Sequence, residues 1–142
     1  MQSNAISIPV AAAKPGIFSA NSSGTGQGAI LNQDSTVNSP SNPADRNTII
    51  QIFATGEGGT APPGVDGKIA ADVYPKPLLP VGVSIGGQNA EVVYAGAAPF
   101  QVAGLLQVNA RIPDGVAPSA NAPVILTVGS YSSRAGISVA IK

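Results

Sequence analysis

The stretch VGVSIGGQNAEVVY, residues 81–94, decides the fold class. Apolar residues alternate with small or polar ones on both sides of the glycine pair Gly86 and Gly87, which is the two-residue period of a half-buried strand. Glycine accepts the positive φ that tight hairpin turns require. The stretch therefore predicts two antiparallel strands, Val81–Ile85 and Ala90–Tyr94, joined by a turn over Gly86–Asn89.

The same alternation recurs along the chain, punctuated by 17 glycines and 13 prolines, and no long window has helical periodicity. This predicts an all-β chain, an antiparallel β-sandwich of about seven or eight strands plus an extra strand at the N-terminus. Within it, Thr48–Ala54 is expected at the centre of the core, and Phe18 and Phe53 are expected to fill that core. The eight predicted strands are Ala5–Val10, Gly28–Asn32, Thr48–Ala54, Val81–Ile85, Ala90–Tyr94, Leu105–Arg111, Val124–Val128 and Gly136–Ile141.

Composition excludes several classes of function. The formal net charge is zero and only 10% of the 142 residues are charged, so we expect no nucleic-acid partner. The chain has no histidine and no cysteine, which removes the usual general base, the thiolate nucleophile and the commonest zinc ligands. We therefore expect no enzyme, no catalytic residues, no metal and no cofactor.

No apolar run is long enough for a membrane helix, so no membrane insertion is expected. The start, Met1–Asn4, lacks the basic and apolar regions of a secretory signal. If the protein is exported, the signal has been removed or lay further upstream.

Two short motifs resemble catalytic or phosphate-binding signatures. Gly82–Gly86 matches the G-x-S-x-G pattern of serine hydrolases, but that pattern needs a strand-to-helix turn and a histidine. Gly24–Gly28 resembles a phosphate loop without its lysine or its helix. Both are interpreted as strand and turn sequence. A calcium site at Asp66 and Asp72 stays open as an alternative, because carboxylates in a Pro/Gly loop are hard oxygen ligands.

Five segments in order resemble the signatures of one bacterial family, the repeated Ig-like modules, similar in style to IPT/TIG domains, near the carboxy ends of large secreted or surface proteins, especially of acidobacteria. The segments are Lys14–Phe18, Asn38–Ala44, Ile52–Gly58, Val83–Pro99 and Gln107–Pro113. The resemblance implies an Ig-like sandwich over residues 14–142 that is secreted or at the cell surface and has no catalytic residues. It also implies that the stretch before Lys14 is the last strand of a preceding module.

The N-terminal stretch repeats the pattern of the closing strand. Ile6, Ile8 and Val10 alternate as do the apolar residues of Gly136–Ile141, so residues 1–13 form an extra strand and a joint before the domain. We expect a structural protein that self-associates into a homo-oligomer or a filament, with Ile6, Ile8 and Val10 inserted into a neighbour's sheet.

Two alternatives stay open. The first is that the N-terminal strand folds back on its own domain. The second is a carbohydrate- or surface-binding module that contacts polysaccharide through the loops Asn38–Asp45 and Thr60–Gly67.

Overall fold

The computed structural model describes residues 4–142, which are all-β, with no helix in that range. The prediction of an all-β, antiparallel, sandwich-like chain is confirmed. The strands are β1 Gly16–Ile17, β2 Gly26–Gln27, β3 Ile30–Leu31, β4 Ile49–Thr55, β5 Thr60–Ala61, β6 Lys76–Pro77, β7 Val81–Ile85, β8 Gln88–Ala97, β9 Leu106–Arg111, β10 Ser119–Val128, β11 Tyr131–Ser132 and β12 Ile137–Ile141.

Ten strands form one hydrogen-bonded sheet that folds over itself into two layers. Eight of them follow one another in the pairing path, and β3 and β11 pair beside it with β4 and β10. In the first layer, β4 lies between β9 on one edge and the short strands β1 and β3 on the other. In the second layer, β10 lies between β7 and β12. All these contacts are antiparallel, and the short parallel pairing of β2 with β12 is the exception.

Three segments pass from one layer to the other. β8 pairs with β7 through Ala90 and with β9 from Glu91 onward, and its register shifts between Val92 and Tyr94, as a β-bulge does. β10 pairs with β12 in its first half and with β7 in its second half. The segment 26–31 pairs with β12 through β2 and with β4 through β3. The path therefore closes, and few strand edges remain free.

The core lies between the layers and is aliphatic. Ile50, Ile52 and Ala54 of β4 are fully buried, which confirms the predicted central position of this strand. They alternate with half-exposed residues on the outer face. Inward residues of the other long strands complete the core: Val83, Ile85, Leu106, Val108, Ala110, Val124, Leu126, Ile137, Val139 and Ile141.

The two phenylalanines predicted for the core lie elsewhere. Phe18 is 43% exposed. Its backbone N–H donates to the carbonyl of Phe53, which is half-buried on the outer face of β4. Alternation with the inward Ile17 and Ile52 requires both rings to point outward. The prediction that they fill the core is wrong.

The extra N-terminal strand is not formed within the single chain. Residues 4–12 belong to no ladder, and residues 1–3 of the predicted segment lie outside the described residues. β1 and β3 occupy the outer edge of β4, so this edge does not pair with the segment.

Candidate functional site

The N-terminal segment 4–12 carries the predicted association residues on an exposed stretch of chain. Ile6 is 82% exposed, Ile8 77% and Val10 96%. Large aliphatic side chains scattered singly on a surface are ordinary, but three at alternate positions form an apolar face without a partner. The structure therefore leaves the predicted anchors uncovered within the single chain.

The segment joins the body at a fixed root. Ala13 and Pro15 are buried, and the Lys14 N–H donates to the Gly56 carbonyl over 2.9 Å. A Cβ atom at Gly56 or Gly58 would collide with the carbonyl oxygens of Lys14 and Ala12 respectively. Glycines at these two positions allow the root to lie directly against the chain that follows β4.

An apolar groove lies at the same end of the molecule. It has a volume of about 180 Å³. Its lining includes Glu57 and Thr60, which are close in sequence to the two glycines that contact the root. Val65, Ile69 and Val73 also line it and are each about half exposed. One of the two loops predicted as a contact surface, Thr60–Gly67, thus forms part of this groove.

Backbone hydrogen bonds hold the floor of the groove in place. The Ala70 N–H donates to the Gln101 carbonyl over 2.9 Å, and the Phe100 N–H donates to the Ala70 carbonyl over 2.7 Å. The Ala97 N–H of β8 donates to the Pro75 carbonyl over 2.8 Å. Loop 65–75 is therefore an ordered wall attached to the sandwich.

The other predicted contact loop, Asn38–Asp45, has a structural role. The Asn38 side chain is fully buried and bonds to the backbone N–H and C=O of Ala140 over 2.8 and 2.9 Å. The backbone of Ala44 pairs with Ile141 in the same place. This loop precedes β4 whereas Thr60–Gly67 follows it, so the two loops lie at opposite ends of that strand and form no common surface.

A polar depression lies near Asn38–Asp45, between Asp34, Asp45 and Lys142. Hydrogen bonds from the Thr36 hydroxyl and N–H lower the pKa of the Asp34 carboxyl. In residues 4–142, no group of three or more histidine, cysteine or acidic side chains could hold a metal ion.

The motif that resembles a hydrolase signature is strand sequence. Ser84 lies on β7, paired with Asn89 and Ile125, and the segment continues into the Gly86–Gly87 turn, where both glycines have positive φ. Gly26 of the phosphate-loop-like motif begins β2. Neither motif opens a helix, as the corresponding sites require.

The outer face of the β4 layer carries aromatic rings beside amides, which the sequence did not single out. Phe18 and Phe53 are adjacent, Gln107 is opposite Phe53, and Gln51 is opposite Asn109. Tyr94 is also opposite Asn109, and its hydroxyl donates to the Ala97 carbonyl over 2.7 Å. This face combines apolar rings with uncharged hydrogen-bonding groups.

Comparison of the chain with protein-family models, with curated proteins and with solved structures found no match. Within the described range, no helix is long and apolar enough to cross a membrane.

Proposed function

We propose that the protein is a non-catalytic structural module of the secreted or cell-surface Ig-like kind, which self-associates by donating its N-terminal segment to a second copy. The observation that carries this proposal is the exposure of Ile6, Ile8 and Val10 at alternate positions. A donated strand places alternate side chains in apolar pockets of its acceptor, so this spacing suits donation. Pro9 lacks an N–H, and its side of the strand faces away from any ladder.

The test compares the full chain with a variant that lacks residues 1–11, by size-exclusion chromatography with light scattering. We expect the full chain to assemble and the truncated chain to be a folded monomer. Ile6→Ser with Ile8→Ser should have the same effect. Val37→Ser is the matched control, because Val37 is 62% exposed elsewhere on the surface. A full chain that stays monomeric, or an assembly that persists without residues 1–11, refutes the proposal.

A second candidate function is binding of a neutral polysaccharide on the outer face of the β4 layer. Phe18 and Phe53 offer rings for stacking against sugars, and Gln51, Gln107 and Asn109 offer neutral donors and acceptors. The proposed surface differs from the two loops named from the sequence, since Asn38–Asp45 holds the sheet together.

Pull-down on insoluble polysaccharides tests this candidate. Phe18→Ala and Phe53→Ala should each weaken binding up to about tenfold, as expected when an aromatic contact is lost. Phe100→Ala is the control, because Phe100 is 70% exposed in a different region of the chain. Absence of binding by the unmodified chain, or equal losses in all three variants, rejects the candidate.

A further inference from the structure

The geometry points to a specific acceptor and a specific symmetry: the apolar groove of a second copy receives Ile6 and Ile8, and the exchange is reciprocal, giving a closed two-fold dimer. This inference rests on the proposed self-association. It identifies the N-terminal segment of a second copy as the occupant of the groove. It also predicts a closed dimer instead of the filament that the sequence suggested.

The groove fits the donated side chains in size. A cavity of about 150 Å³ can hold a benzene molecule, so the groove, with about 180 Å³, has room for one whole isoleucine side chain and part of a second. When the segment is extended, Ile6 and Ile8 lie on one side of it, roughly 7 Å apart. Val10, closer to the root, is then placed to cover the half-exposed apolar rim formed by Val65, Ile69 and Val73.

The groove also fits the segment in polarity. Residues 4–13 contain no charged side chain, and the groove is lined mainly by aliphatic and proline side chains, with Glu57 and Lys68 as its charged members. An uncharged apolar segment enters such a groove without desolvating a charge of its own, which would be costly.

Donation to another chain is favoured over folding back. Lys14 is fixed to Gly56 and precedes a proline, which keeps it extended. In the single chain the three side chains lie in solvent and not in their own groove.

The positions of the root and the groove determine the symmetry. The root contacts Gly56 and Gly58, and the groove lining includes Glu57 and Thr60, so donor and acceptor are neighbours at one end of the molecule. Two copies that meet at this end can exchange segments both ways, an isologous contact that closes. The seven residues from Ala12 back to Ile6, six steps along the chain, span roughly 20 Å when extended, which is enough to cross between the bodies.

Buried area also favours exchange in both directions. Three aliphatic side chains bring about 300 Å² of apolar area, roughly 100 Å² each, and their acceptor contributes a similar amount. One donated segment therefore buries about 600 Å², in the range of incidental contacts, whereas two bury about 1,200 Å², where stable interfaces begin.

The test uses a matched pair of exposed valines. Val65→Asp places a charge in the groove, whereas Val37→Asp places one at a similarly exposed position away from it. By light scattering we expect twice the 14.0 kDa chain mass for the full chain and for Val37→Asp, and a monomer for Val65→Asp and for the chain without residues 1–11. Circular dichroism checks that every variant is folded.

Cysteine pairing distinguishes the arrangements, because the chain has no cysteine of its own. The double variant Val10→Cys, Val65→Cys should form disulfide-linked dimers on mild oxidation, and an intramolecular disulfide instead would overturn donation to a second copy. Assembly that needs residues 1–11 but tolerates Val65→Asp refutes the groove while the proposed function stands. Assembly sensitive to both changes but larger than a dimer refutes the reciprocal exchange. A monomeric full chain refutes the proposed function itself.

Discussion

At the scale of single residues, Asn38 is the side chain that secures the edge of β12. Its Nδ2 donates to Asn32 Oδ1 and to the Ala140 carbonyl, and its Oδ1 accepts from the Ala140 N–H and from Gln27 Nε2, all within 2.8–2.9 Å. All four hydrogen-bonding positions of the amide are filled in a fully buried place. The Asn38 side chain therefore bonds to the N–H and C=O groups of Ala140 as a neighbouring strand would.

Replacing Asn38 should be costly for stability. Asn38→Ala leaves the buried Ala140 N–H without an acceptor and removes a partner from Gln27 and Asn32. We expect a loss of about 3 kcal/mol in the free energy of unfolding, or a fall of roughly 10 °C in Tm. Urea unfolding measures the loss. Asn121→Ala, at an exposed residue, is the control and should change stability by less than about 0.5 kcal/mol. Equal effects would contradict the role of Asn38.

Asp34 gives a pH dependence of known sign. The Thr36 hydroxyl and N–H lower the pKa of the folded carboxyl from the ordinary 3.8, so its contribution to stability is present above that pH and is lost as the pH falls through the folded value. Asp34→Asn keeps an acceptor for Thr36 but does not titrate. Thermal unfolding at pH 6 and pH 2.5 should show a smaller acid-induced fall in Tm for this variant than for the native chain. An equal or larger fall would contradict this assignment.

At the scale of elements, the β7–β8 turn contains two glycines that differ in the space available for a Cβ atom. Both have positive φ, but a Cβ at Gly86 would lie 2.6 Å from Val116 Cγ1, whereas a Cβ at Gly87 would meet no atom within 4 Å. Gly87→Ala should therefore cost only the backbone strain of about 1 kcal/mol. Gly86→Ala should cost about 1–3 kcal/mol more, because Val116 must move in a packed core. Chemical denaturation of both variants checks this order, and equal losses would show that the core yields easily.

The sequence predicted β4, β7 and β9 to within one residue, because alternation records which face is buried, but it predicted only half of β8 and half of β10. Val81–Ile85 was predicted with the observed bounds, and Thr48–Ala54 and Leu105–Arg111 were within one residue of theirs. Phe53 is opposite in phase to Ile52 and lies on the outer face of β4, whereas it was predicted to fill the core, and that prediction was wrong. The position of a residue in the alternation of a strand predicts its burial better than the size of its side chain does.

Contacts between distant residues could not be predicted from the sequence. The loop that contains Asn38 has the composition of an ordinary turn. Nothing in its local sequence indicates that Asn38 bonds to a residue 102 positions away. The sequence marked Ile6, Ile8 and Val10 by their spacing, but the groove is lined by residues from 57 to 104, and no local pattern brings them together. One half of the candidate site was therefore predictable and the other required the fold.

At the scale of the whole molecule, closure of the pairing path determines what remains available for contact. β1 and β3 cover the outer edge of β4, while β2 and Ala44 cover that of β12. Covered edges resist indiscriminate strand addition between copies. The uncovered apolar features described above are the N-terminal segment, which belongs to no ladder, and the groove, which is lined mainly by loop residues.

The body should consequently be stable without its N-terminal segment. Residues 4–12 are exposed throughout and contribute nothing to the core, so removal of residues 1–11 should leave the Tm unchanged to within about 2 °C at low protein concentration.

At high concentration the Tm of the full chain should differ from that of the truncated chain. An assembly that involves only the folded state adds stability by mass action, so the full chain should gain a few degrees in Tm over a hundredfold rise in concentration, and the truncated chain should gain none. Scanning calorimetry over that range measures both. A concentration-independent loss of Tm on truncation would mean that the segment packs on its own body.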